Sequence, residues 1–544
     1  LLIHKGYELE NGSGWVNTHL VYTHGFGAVL SPANTVTPEG QPDFFVQDIP
    51  PVLKAGIDAP SLEITQPRIY FGEGFREGSF VIVDTKEKEV DFPTEAGADA
   101  VETNSYDGAG GVPVGSLFRR LAFALRFGDF NTLISGQLTG DSRILMVRNV
   151  RDRVETAVPF LHPDADPYQV ILDGRLVWVV DLYTTTDRYP YSQPATTARL
   201  SAIKSDLPSD FNYVRNSVKA TVDAYNGTMT FYVVDDSDPL VQVYREIFPD
   251  VFTDGDEMPA ALRDHLRYPE DLFRVQSDMY TLYHVTDNRV FFNNSDPWGI
   301  ARDPSTTPLE QIRDAGFYVS SEGQAIVPMV PYYLLMRLPD EPNLSFLIMQ
   351  PFTPENRPNM VGFLVAKSGP DNYGQMIDFE LPRDRLVDGP GQVGARLNQD
   401  PDISREFTLL GQEGSEIIQG NMLVVPIEQS VIYIQPVYLQ GEQAALPEFQ
   451  KVVVVFQDRI VMRDSLDQAL ADVFGTQAPP PVTPPTTPPG GGEVPGDVAD
   501  LIDQANRALA DADAALLQGD LAGYQAKVNE AAALIAQAEE LLGG

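Results

Sequence analysis

The sequence predicts an α+β fold, in which a β-rich body with largely antiparallel sheets and a few amphipathic helices precedes a C-terminal α-helical hairpin. Short runs of β-branched and aromatic residues, bounded by Gly, Pro, Asp or Asn, recur along residues 1–476 and are typical of strands. The dipeptides Asp173-Gly174 and Asn226-Gly227 stand beside such runs, as they do in hairpins. Strands do not alternate regularly with helical patterns, which favours antiparallel over parallel sheets.

Three stretches have the apolar spacing of amphipathic helices, and eight short runs have the composition of strands. The predicted helices are residues 117–127, 214–225 and 270–283. In the second of these, apolar residues such as Val214 and Val218 repeat every four positions, which is the spacing of one helix face. The predicted strands are residues 80–83, 143–147, 176–182, 228–234, 344–350, 422–426, 431–437 and 451–456.

Length and composition divide the chain into four predicted parts. At 544 residues it is too long for one compact core, so the body is expected to have a first part, residues 1–240, and a second part, residues 241–476. Residues 477–496 are rich in Pro and Gly and predict a semi-rigid linker. Residues 497–544 repeat apolar residues every three or four positions, which predicts a helical hairpin that either stands alone or mediates assembly.

Charge and residue usage exclude several function classes. The chain has 77 Asp and Glu against 38 Lys and Arg, a formal net charge of −39. Such a field repels nucleic acid and anionic lipid headgroups at close range, so neither is expected as a direct partner. It has no Cys, which excludes disulfides, thiolate nucleophiles and Cys-bound zinc. It has no run of about 18 apolar residues, and residues 1–5 lack the apolar segment of a signal peptide. We therefore expect any membrane anchor to lie upstream.

No motif in the sequence assigns a catalytic residue. The nucleophile motif G-x-S-x-G is absent, and a chain with this many carboxylates always offers Asp and Glu pairs for glycoside hydrolysis. His19 and His24 are five residues apart, a spacing that favours structural hydrogen bonding over a shared site. No cofactor is expected, and a non-enzymatic role is favoured while an enzymatic one stays open.

Two acidic clusters are candidate Ca²⁺ sites. Clustered carboxylates in loops are the oxygen ligands that Ca²⁺ prefers, although neither cluster has the spacing of a helix–loop–helix calcium loop. Asp before Pro also begins turns, which is the alternative interpretation. The candidate ligands are Asp164, Asp166, Asp235, Asp236 and Asp238.

Several short aromatic-rich strings, taken together and in order, resemble a known family. They are WVNTHLVYTHG at 15–25, YFGE at 70–73, DPY at 166–168 with DGR at 173–175, YPYS at 189–192, NYVRNSVKA at 212–220, HLRYPEDLF at 265–273, FTP at 352–354 with Arg357, and GNML at 420–423 with QPVY at 435–438. On these strings the chain is similar to uncharacterised protein family 0182, a family of large multi-pass membrane proteins.

This resemblance implies a location for the chain but no chemistry. It extends over nearly the whole chain, including the Pro-rich linker and the Ala-rich tail. It implies several N-terminal transmembrane helices followed by a large ectodomain, to which this chain corresponds. The family has no established catalytic residues, so none is carried over to this sequence.

Polar residues embedded among aromatics and Pro in two of these strings are candidates for a ligand groove. The same pattern is typical of a buried hydrogen-bond network, so both interpretations stay open. The candidate residues are Asn216, Lys219, His265, Arg267, Tyr268 and Glu270.

Three functional hypotheses follow. The leading one is the extracytoplasmic domain of a membrane-anchored bacterial cell-envelope protein, at the outer face of the cell membrane or released from it, that binds a partner or assembles. Its expected partners are a second copy or another envelope protein, through the tail hairpin, and the membrane, through an upstream segment. The alternatives are an envelope hydrolase or transferase acting on glycan or lipid, and a Ca²⁺-stabilised surface or filament protein.

Overall fold

A computed structural model describes most of the body and four positions of the tail. The chain divides into two compact units, Leu1–Ala478 and Pro479–Gly544. The predicted linker lies outside the described residues, and so does the predicted tail hairpin except for four positions, which are helical. The described residues are 14–475 without 34, 58, 94–100, 196–206, 208–210, 305–317, 320–324, 340, 342, 356, 383, 385, 412–414, 428–429 and 442–446, together with 504, 507, 508 and 527.

Residues 14–157 form short antiparallel strands, one turn of π-helix at Asn17–Val21 and α-helices. The elements are β1 (Gly25–Phe26), β2 (Val46–Gln47), β3 (Val52–Leu53), β4 (Arg68–Ile69), β5 (Phe80–Val83), β6 (Glu89–Pro93), β7 (Val101–Asn104), β8 (Val112–Pro113), α1 (Leu117–Phe127), α2 (Asn131–Ile134), β9 (Arg143–Met146) and α3 (Val150–Ala157). Strand β9 lies between β5 and β8, and the apolar cluster of this sheet supports α1. The remaining pairs are β1 with β4, β2 with β3, and β6 with β7.

Residues 162–292 form a six-stranded sheet and the helices that cover it. The elements are β10 (His162–Pro163), β11 (Tyr168–Leu172), β12 (Arg175–Thr186), β13 (Tyr213–Asp223), β14 (Met229–Val233), α4 (Pro239–Ile247), β15 (Phe252–Asp254), α5 (Ala260–Arg263), α6 (Glu270–Tyr283) and α7 (Asn288–Phe292). The strand order is β10-β12-β13-β14-β15, and β11 also pairs with β12. All pairs are antiparallel except β14 with β15.

Residues 298–463 form two five-stranded antiparallel sheets. The elements are β16 (Trp298–Ile300), β17 (Tyr318–Val319), β18 (Ala325–Ile326), β19 (Tyr332–Arg337), β20 (Leu344–Pro354), β21 (Gly362–Lys367), β22 (Met376–Glu380), α8 (Pro390–Gln399), α9 (Pro401–Leu410), β23 (Ser415–Gln419), β24 (Leu423–Ile427), β25 (Ser430–Gly441), β26 (Glu448–Phe456), β27 (Arg459–Arg463) and α10 (Leu466–Phe474). The first sheet runs β16-β20-β21-β22 and the second β23-β25-β26-β27. Strands β19 and β24 pair with β20 and β25.

The predicted α+β class with largely antiparallel sheets is confirmed. Each of the eight predicted strands overlaps an observed strand, and the predicted helices at 117–127 and 270–283 are α1 and α6. Asp173-Gly174 forms the two-residue turn that joins β11 to β12, with Leu172 opposite Arg175 and both turn residues at positive φ. The division of the body at residue 240 stays a prediction.

The predicted helix over residues 214–225 is wrong, because this stretch is β13. A repeat of four is compatible with a strand as well as with a helix, since four is twice the strand period of two. Both faces of the sheet are covered here, so four successive residues, 217–220, are buried and the alternation that marks a half-exposed strand is lost. The β-branched residues Val214, Val218 and Val222 then favour the strand.

Buried apolar clusters connect the sheets. One cluster lies on β12, β13 and β14 and includes residues of the first region such as Tyr70. A second fills the space between the two five-stranded sheets and includes Val365 and Val453. A third contains Tyr183 of β12, Phe273 of α6 and residues of β20 and β21. Helix α6 therefore packs between the six-stranded sheet and the β20–β21 sheet.

Candidate functional site

Four of the six candidate groove residues meet at the N-terminal end of α6. Lys219 lies on β13, Arg267 and Tyr268 lie in the segment before α6, and Glu270 is its first residue. The segment passes β11 on one side and the turn between β21 and β22 on the other, through hydrogen bonds to Tyr168 and Ser368. The meeting point therefore joins the six-stranded sheet, the sheet of β21 and β22, and helix α6.

Lys219 is fully buried and forms an ion pair with Asp181 on the neighbouring strand β12. Its ammonium group also donates to the hydroxyl of Tyr373 at 2.5 Å. The Tyr373 hydroxyl in turn donates to the carbonyl oxygen of Arg267 at 3.3 Å. A buried charge of this kind is stable only when it is paired and hydrogen-bonded, and Lys219 has both kinds of partner.

Arg267 connects the same cluster to the loop after β10. Its guanidinium donates to Asp166 Oδ2 at 2.7 Å and to the Asp166 carbonyl at 2.6 Å. It also lies over the ring of Tyr168, 4.2 Å from the centroid, and 5.2 Å from the ring of Tyr333. Such stacking by a planar cation adds to the ion pair and fixes the position of the segment before α6.

Asp164 and Asp271 exchange hydrogen bonds at the start of α6. The backbone N–H of Asp271 donates to Asp164 Oδ2 at 3.2 Å, and the backbone N–H of Ala165 donates to Asp271 Oδ2 at 3.2 Å. The hydroxyl of Tyr183 donates to the Asp164 carboxylate. Burial, together with the nearby charges of Asp271 and Asp181, raises the pKa of Asp164 to about 7.

Tyr268 and Glu270 complete the cluster, whereas His265 and Asn216 lie apart from it. Tyr268 is buried and its hydroxyl donates to Gln276 at 2.7 Å, while Glu270 pairs with Arg274 one helical turn on. His265 is exposed, with Nδ1 2.7 Å from the carbonyl of Ala261. Asn216 donates to the carbonyl of Leu182 at 3.1 Å, and its Oδ1 is buried without a hydrogen-bond partner.

We call the connected set the junction network; it comprises Asp164, Asp166, Asp181, Tyr183, Lys219, Arg267, Asp271 and Tyr373. Its charged groups point at one another, and none of its members lines either of the two cavities described below. Its members are buried or half-buried except Asp166, whose side chain is 52% exposed. This geometry fits a hydrogen-bond network within the protein, the second of the two interpretations that the sequence left open.

Four of the five candidate Ca²⁺ ligands, all except the exposed Asp236, have side chains engaged in other hydrogen bonds or ion pairs. Asp238 is buried at the N-cap of α4 and accepts from the N–H of Leu240 at 3.0 Å and from the hydroxyl of Tyr213 at 2.8 Å. Asp235 pairs with Arg215 at 2.9 Å. Among the described residues, no group of three or more His, Asp or Glu is arranged to hold a metal ion. The structure gives no support for Ca²⁺ at either cluster.

His24 belongs to a second buried polar cluster. Its Nε2 lies 2.9 Å from Asp91 Oδ1, and its Nδ1 lies 2.9 Å from the hydroxyl of Thr23. Arg68 donates to both oxygens of Asp91, at 2.9 and 2.6 Å. Burial opposes the charge of Asp91, but the hydrogen bonds from His24 and Arg68 hold the pKa of that carboxyl below its usual value. These contacts fit the structural hydrogen bonding that the sequence predicts for His24.

A surface groove of about 430 Å³ lies at the other end of β13. Five of its thirteen lining residues are aromatic and none is charged. The exposed rings of Tyr189, Tyr191 and Tyr283 border it, and Phe211 and Tyr213 contribute to its floor. We call it the aromatic groove. Concave aromatic surfaces with few polar groups are the usual form of ligand sites.

The loop 189–192 that borders the aromatic groove is fixed by Asn212. The side-chain amide of Asn212 accepts from the N–H of Tyr189 at 2.9 Å and donates to its carbonyl at 2.8 Å. Ser192 donates to the Asn212 carbonyl at 3.0 Å, and Tyr189 stacks on Tyr213 at 5.6 Å. Tyr191 is fully exposed at φ 58°, a conformation that is strained for a bulky side chain. Strained exposed residues of this kind concentrate at functional sites.

Sequence reasoning quoted YPYS among the family-like strings but did not assign it to a site. The sequence did contain an indication of this site. Tyrosine side chains are usually half-buried, so two tyrosines on either side of a proline in a loop are unusual. What the sequence lacked was the partner surface, because Tyr283 is distant along the chain and reaches the groove only through the packing of α6.

A second cavity, of about 260 Å³, lies between α1, α3 and the end of β9. Its lining carries three arginines, including Arg126 and Arg148, and three carboxylates, including Asp152. Arg148 is buried and donates to the carbonyl of Tyr70 at 2.9 Å, and burial lowers its pKa to about 9. Balanced charges of this kind favour internal ion pairing over a ligand of one sign.

Comparison with known proteins identifies the family. The model of the family described as "Uncharacterised protein family (UPF0182)" matches residues 7–410. The chain belongs to this family.

Relatives in several organisms extend the match. A UPF0182 protein of Moorella thermoacetica is 43% identical over 511 residues, which are 94% of this chain and 52% of the relative. A UPF0182 protein of Sulfurovum is 45% identical over 85% of this chain and 46% of the relative. One from Methanospirillum hungatei is 40% identical over 97% of this chain and 55% of the relative. The chain therefore spans about half the length of these UPF0182 relatives. No solved structure matches it.

The UPF0182 match includes both the junction network and the aromatic groove, because all their residues lie within residues 7–410. Within the part of the chain that the structure describes, no helix is both long enough and apolar enough to cross a bilayer.

Proposed function

We propose that this chain is the extracytoplasmic domain of a membrane-anchored cell-envelope protein and that it acts by binding a partner in the aromatic groove. The observation that carries the binding role is the groove itself, with its exposed tyrosines and the strained backbone of Tyr191. The location is supported by the resemblance of the sequence to a family of multi-pass membrane proteins.

The groove favours an extended, uncharged, proline-rich segment of another envelope protein. Three of its polar side chains are engaged within the protein, Asn212 with Tyr189, Tyr213 with Asp238 and Tyr283 with Gln193. A sugar needs many hydrogen bonds from its site, whereas proline rings need flat aromatic faces. Aromatic-lined grooves are the usual receptors of polyproline II segments, which lose little conformational entropy on binding.

Titration calorimetry with a synthetic oligoproline peptide tests this role. The wild-type chain is expected to bind the peptide and to ignore a Gly/Ser peptide of the same length. Replacing Tyr189 and Tyr191 by Ala is expected to weaken binding about tenfold or more, as for aromatic anchors in general. The matched control is Phe118→Ala, an exposed aromatic on α1 outside the groove. Equal affinity of wild type and the tyrosine double variant would remove the groove from the proposal.

The location has its own test in cells. Protease added outside intact spheroplasts that express the full-length protein, tagged within this chain, is expected to remove the tag. Protection of the tag until the membrane is lysed would contradict an extracytoplasmic location.

Self-association through the tail stays part of the proposal. Light scattering of the chain with and without residues 478–544 is expected to show a multimer that becomes a monomer on truncation. A monomer in both cases would leave the aromatic groove as the sole proposed contact. The hydrolase or transferase alternative requires a pocket with two carboxyls, and the 260 Å³ cavity, with Asp152 and two glutamates in its lining, is where its catalytic residues would be sought.

A further inference from the structure

The outer faces of α1 and α2 carry an exposed apolar surface. Six large side chains contribute to it, each with between 42% and 80% of its surface exposed. Patches of this kind on a folded protein mark contact with a membrane or a partner. We call it the α1–α2 face; its residues are Leu117, Phe118, Leu121, Leu125, Phe130 and Ile134.

The helix presents this face because its other side is already packed. Phe127 stacks on Phe80 of β5 with ring centroids 4.2 Å apart, and Phe123 and the buried Ala124 lie on the same inner side. Leu117, Leu121 and Leu125 are spaced by four and so lie together on the outer side. The face is therefore a fixed feature of a well-anchored helix.

Both ends of the helix are specified locally. Ser116 accepts a hydrogen bond from the N–H of Arg119 at 3.3 Å, which is an N-cap, and Gly128 ends the helix at φ 66°. The exposed leucines thus belong to a helix whose start and stop are encoded in the sequence.

Helix α1 is basic although the chain as a whole is acidic, and the nearest acidic residues lie outside the helix, at Asp129 and in the cavity that Arg126 lines. Helix α1 contains three arginines and no acidic residue, although the chain as a whole has 77 acidic and 38 basic residues. Arg120 donates to the carbonyls of Val114 and Thr139 at 3.2 Å, and Arg119 and Arg126 are exposed at the edge of the face. A partner that complements this face has negative charges at its surface and apolar groups beneath them.

A second copy of the chain is a poor partner for this face. Two copies that meet through the same patch would bring their arginines together, because a twofold interface is self-complementary. A protein partner is less suited as well, since the six apolar side chains are pure hydrocarbon and protein interfaces carry about one hydrogen bond per 100–200 Å².

We infer that the α1–α2 face docks on the surface of an anionic lipid bilayer. The leucines and phenylalanines enter the boundary of the acyl chains, and Arg119 and Arg126 contact lipid phosphates, as in interfacial amphipathic helices. At physiological salt the charge on the rest of the chain is screened beyond about 8 Å, so the arginines dominate at contact. This contact is additional to any anchoring segment and independent of the aromatic groove.

Cosedimentation of the whole chain with vesicles tests the inference. The chain is expected to sediment with vesicles of phosphatidylcholine and phosphatidylglycerol, and much less with phosphatidylcholine alone. Replacing Leu117 and Leu125 by Asp is expected to weaken binding by more than about thirtyfold. Replacing Arg119 and Arg126 by Gln is expected to cost about fivefold per arginine. Because both leucines are about 70% exposed, the Asp variant is expected to fold, and circular dichroism checks this.

The controls distinguish vesicle binding by the α1–α2 face from peptide binding in the aromatic groove and from dimerisation. Tyr191→Ala is expected to sediment like wild type, so loss of vesicle binding and loss of peptide binding are distinguishable. Should the Asp variant not fold, Phe118→Ser at an 80% exposed position replaces it. Absence of binding to the anionic vesicles, binding unchanged by these substitutions, or a dimer that the leucine substitutions dissociate would each overturn the inference.

Discussion

The two ends of strand β13 differ in what surrounds them. At Lys219 the strand is covered on both faces, and charged groups are held by ion pairs and tyrosines within the junction network. At Tyr213 the same strand borders the aromatic groove, where rings face solvent and the polar groups hold a loop in place. One strand therefore holds buried charges at one end and borders an open groove at the other, and the proposed function assigns stability to the first end and binding to the second.

Energetics follow the same division. A buried ion pair is costly to form, but removing one partner leaves an uncompensated charge and costs several times more than removing an exposed pair. The junction network should therefore respond strongly to substitution in stability, and the groove should respond in binding.

The largest effect is expected at Lys219. Replacing Lys219 by Met leaves Asp181 buried without its cation, and the free energy of unfolding is expected to fall by about 3–5 kcal/mol. Chemical denaturation followed by fluorescence measures this loss. The double variant Lys219→Met with Asp181→Leu removes both charges and is expected to recover most of it. A loss below about 1 kcal/mol in the single variant would break the comparison.

Asp164 should make stability depend on pH. Its pKa rises on folding from an ordinary value of about 4 to about 7, so between these values the folded state binds more protons than the unfolded state. The free energy of unfolding is therefore expected to fall as pH rises across this window, by up to about 1.4 kcal/mol per pH unit.

The matched variant is Asp164→Asn, which cannot ionise. Denaturation at a series of pH values is expected to give a flatter curve for this variant than for wild type between pH of about 4 and 7. Identical slopes for the two proteins would show that Asp164 titrates normally and that the network does not hold it protonated.

Substitution of Tyr191 is expected to raise stability and to weaken binding. Asn tolerates the left-handed conformation that Tyr191 adopts, so Tyr191→Asn is expected to raise the free energy of unfolding by up to about 1 kcal/mol. The same substitution is expected to weaken oligoproline binding about tenfold. Denaturation and calorimetry on one preparation measure both, and a destabilised variant with full affinity would contradict the assignment.

The smallest effect is expected at Arg215, four residues from Lys219 on the same strand. Its ion pair with Asp235 is about 40% exposed, so Arg215→Ala is expected to change the free energy of unfolding by less than about 1 kcal/mol. The comparison with Lys219→Met sharpens the role of burial, because strand and charge type are shared. A loss as large as that of Lys219→Met would contradict it.

Much of the fold follows from local patterns. Helix α6 was predicted because residues such as Phe273 and Tyr280 have helical spacing, and the Asp173-Gly174 turn because this dipeptide is typical of hairpins. The stretch 214–225 failed because a repeat of four fits both periods, and only the neighbouring strands, distant in sequence, determine that it is extended.

The candidate site was predicted only in part. The strings around Lys219 and Arg267 contain polar and aromatic residues that lie together in the structure. Their burial depends on strands β20 and β21 and on Tyr373, which the strings do not contain. The aromatic groove was missed for the same reason, since Tyr191 and Tyr283 become neighbours through tertiary packing alone.

The measurement that tests the account most directly is the reactivity of Lys219 towards an amine-acylating reagent in the native chain, followed by mass spectrometry. Lys54, with 45% of its side chain exposed, is the internal control. The account predicts that Lys54 is labelled while Lys219, fully buried against Asp181, stays unlabelled until the chain is denatured. Labelling of Lys219 at a rate like that of Lys54 in the folded chain would contradict a closed network and make it an accessible site.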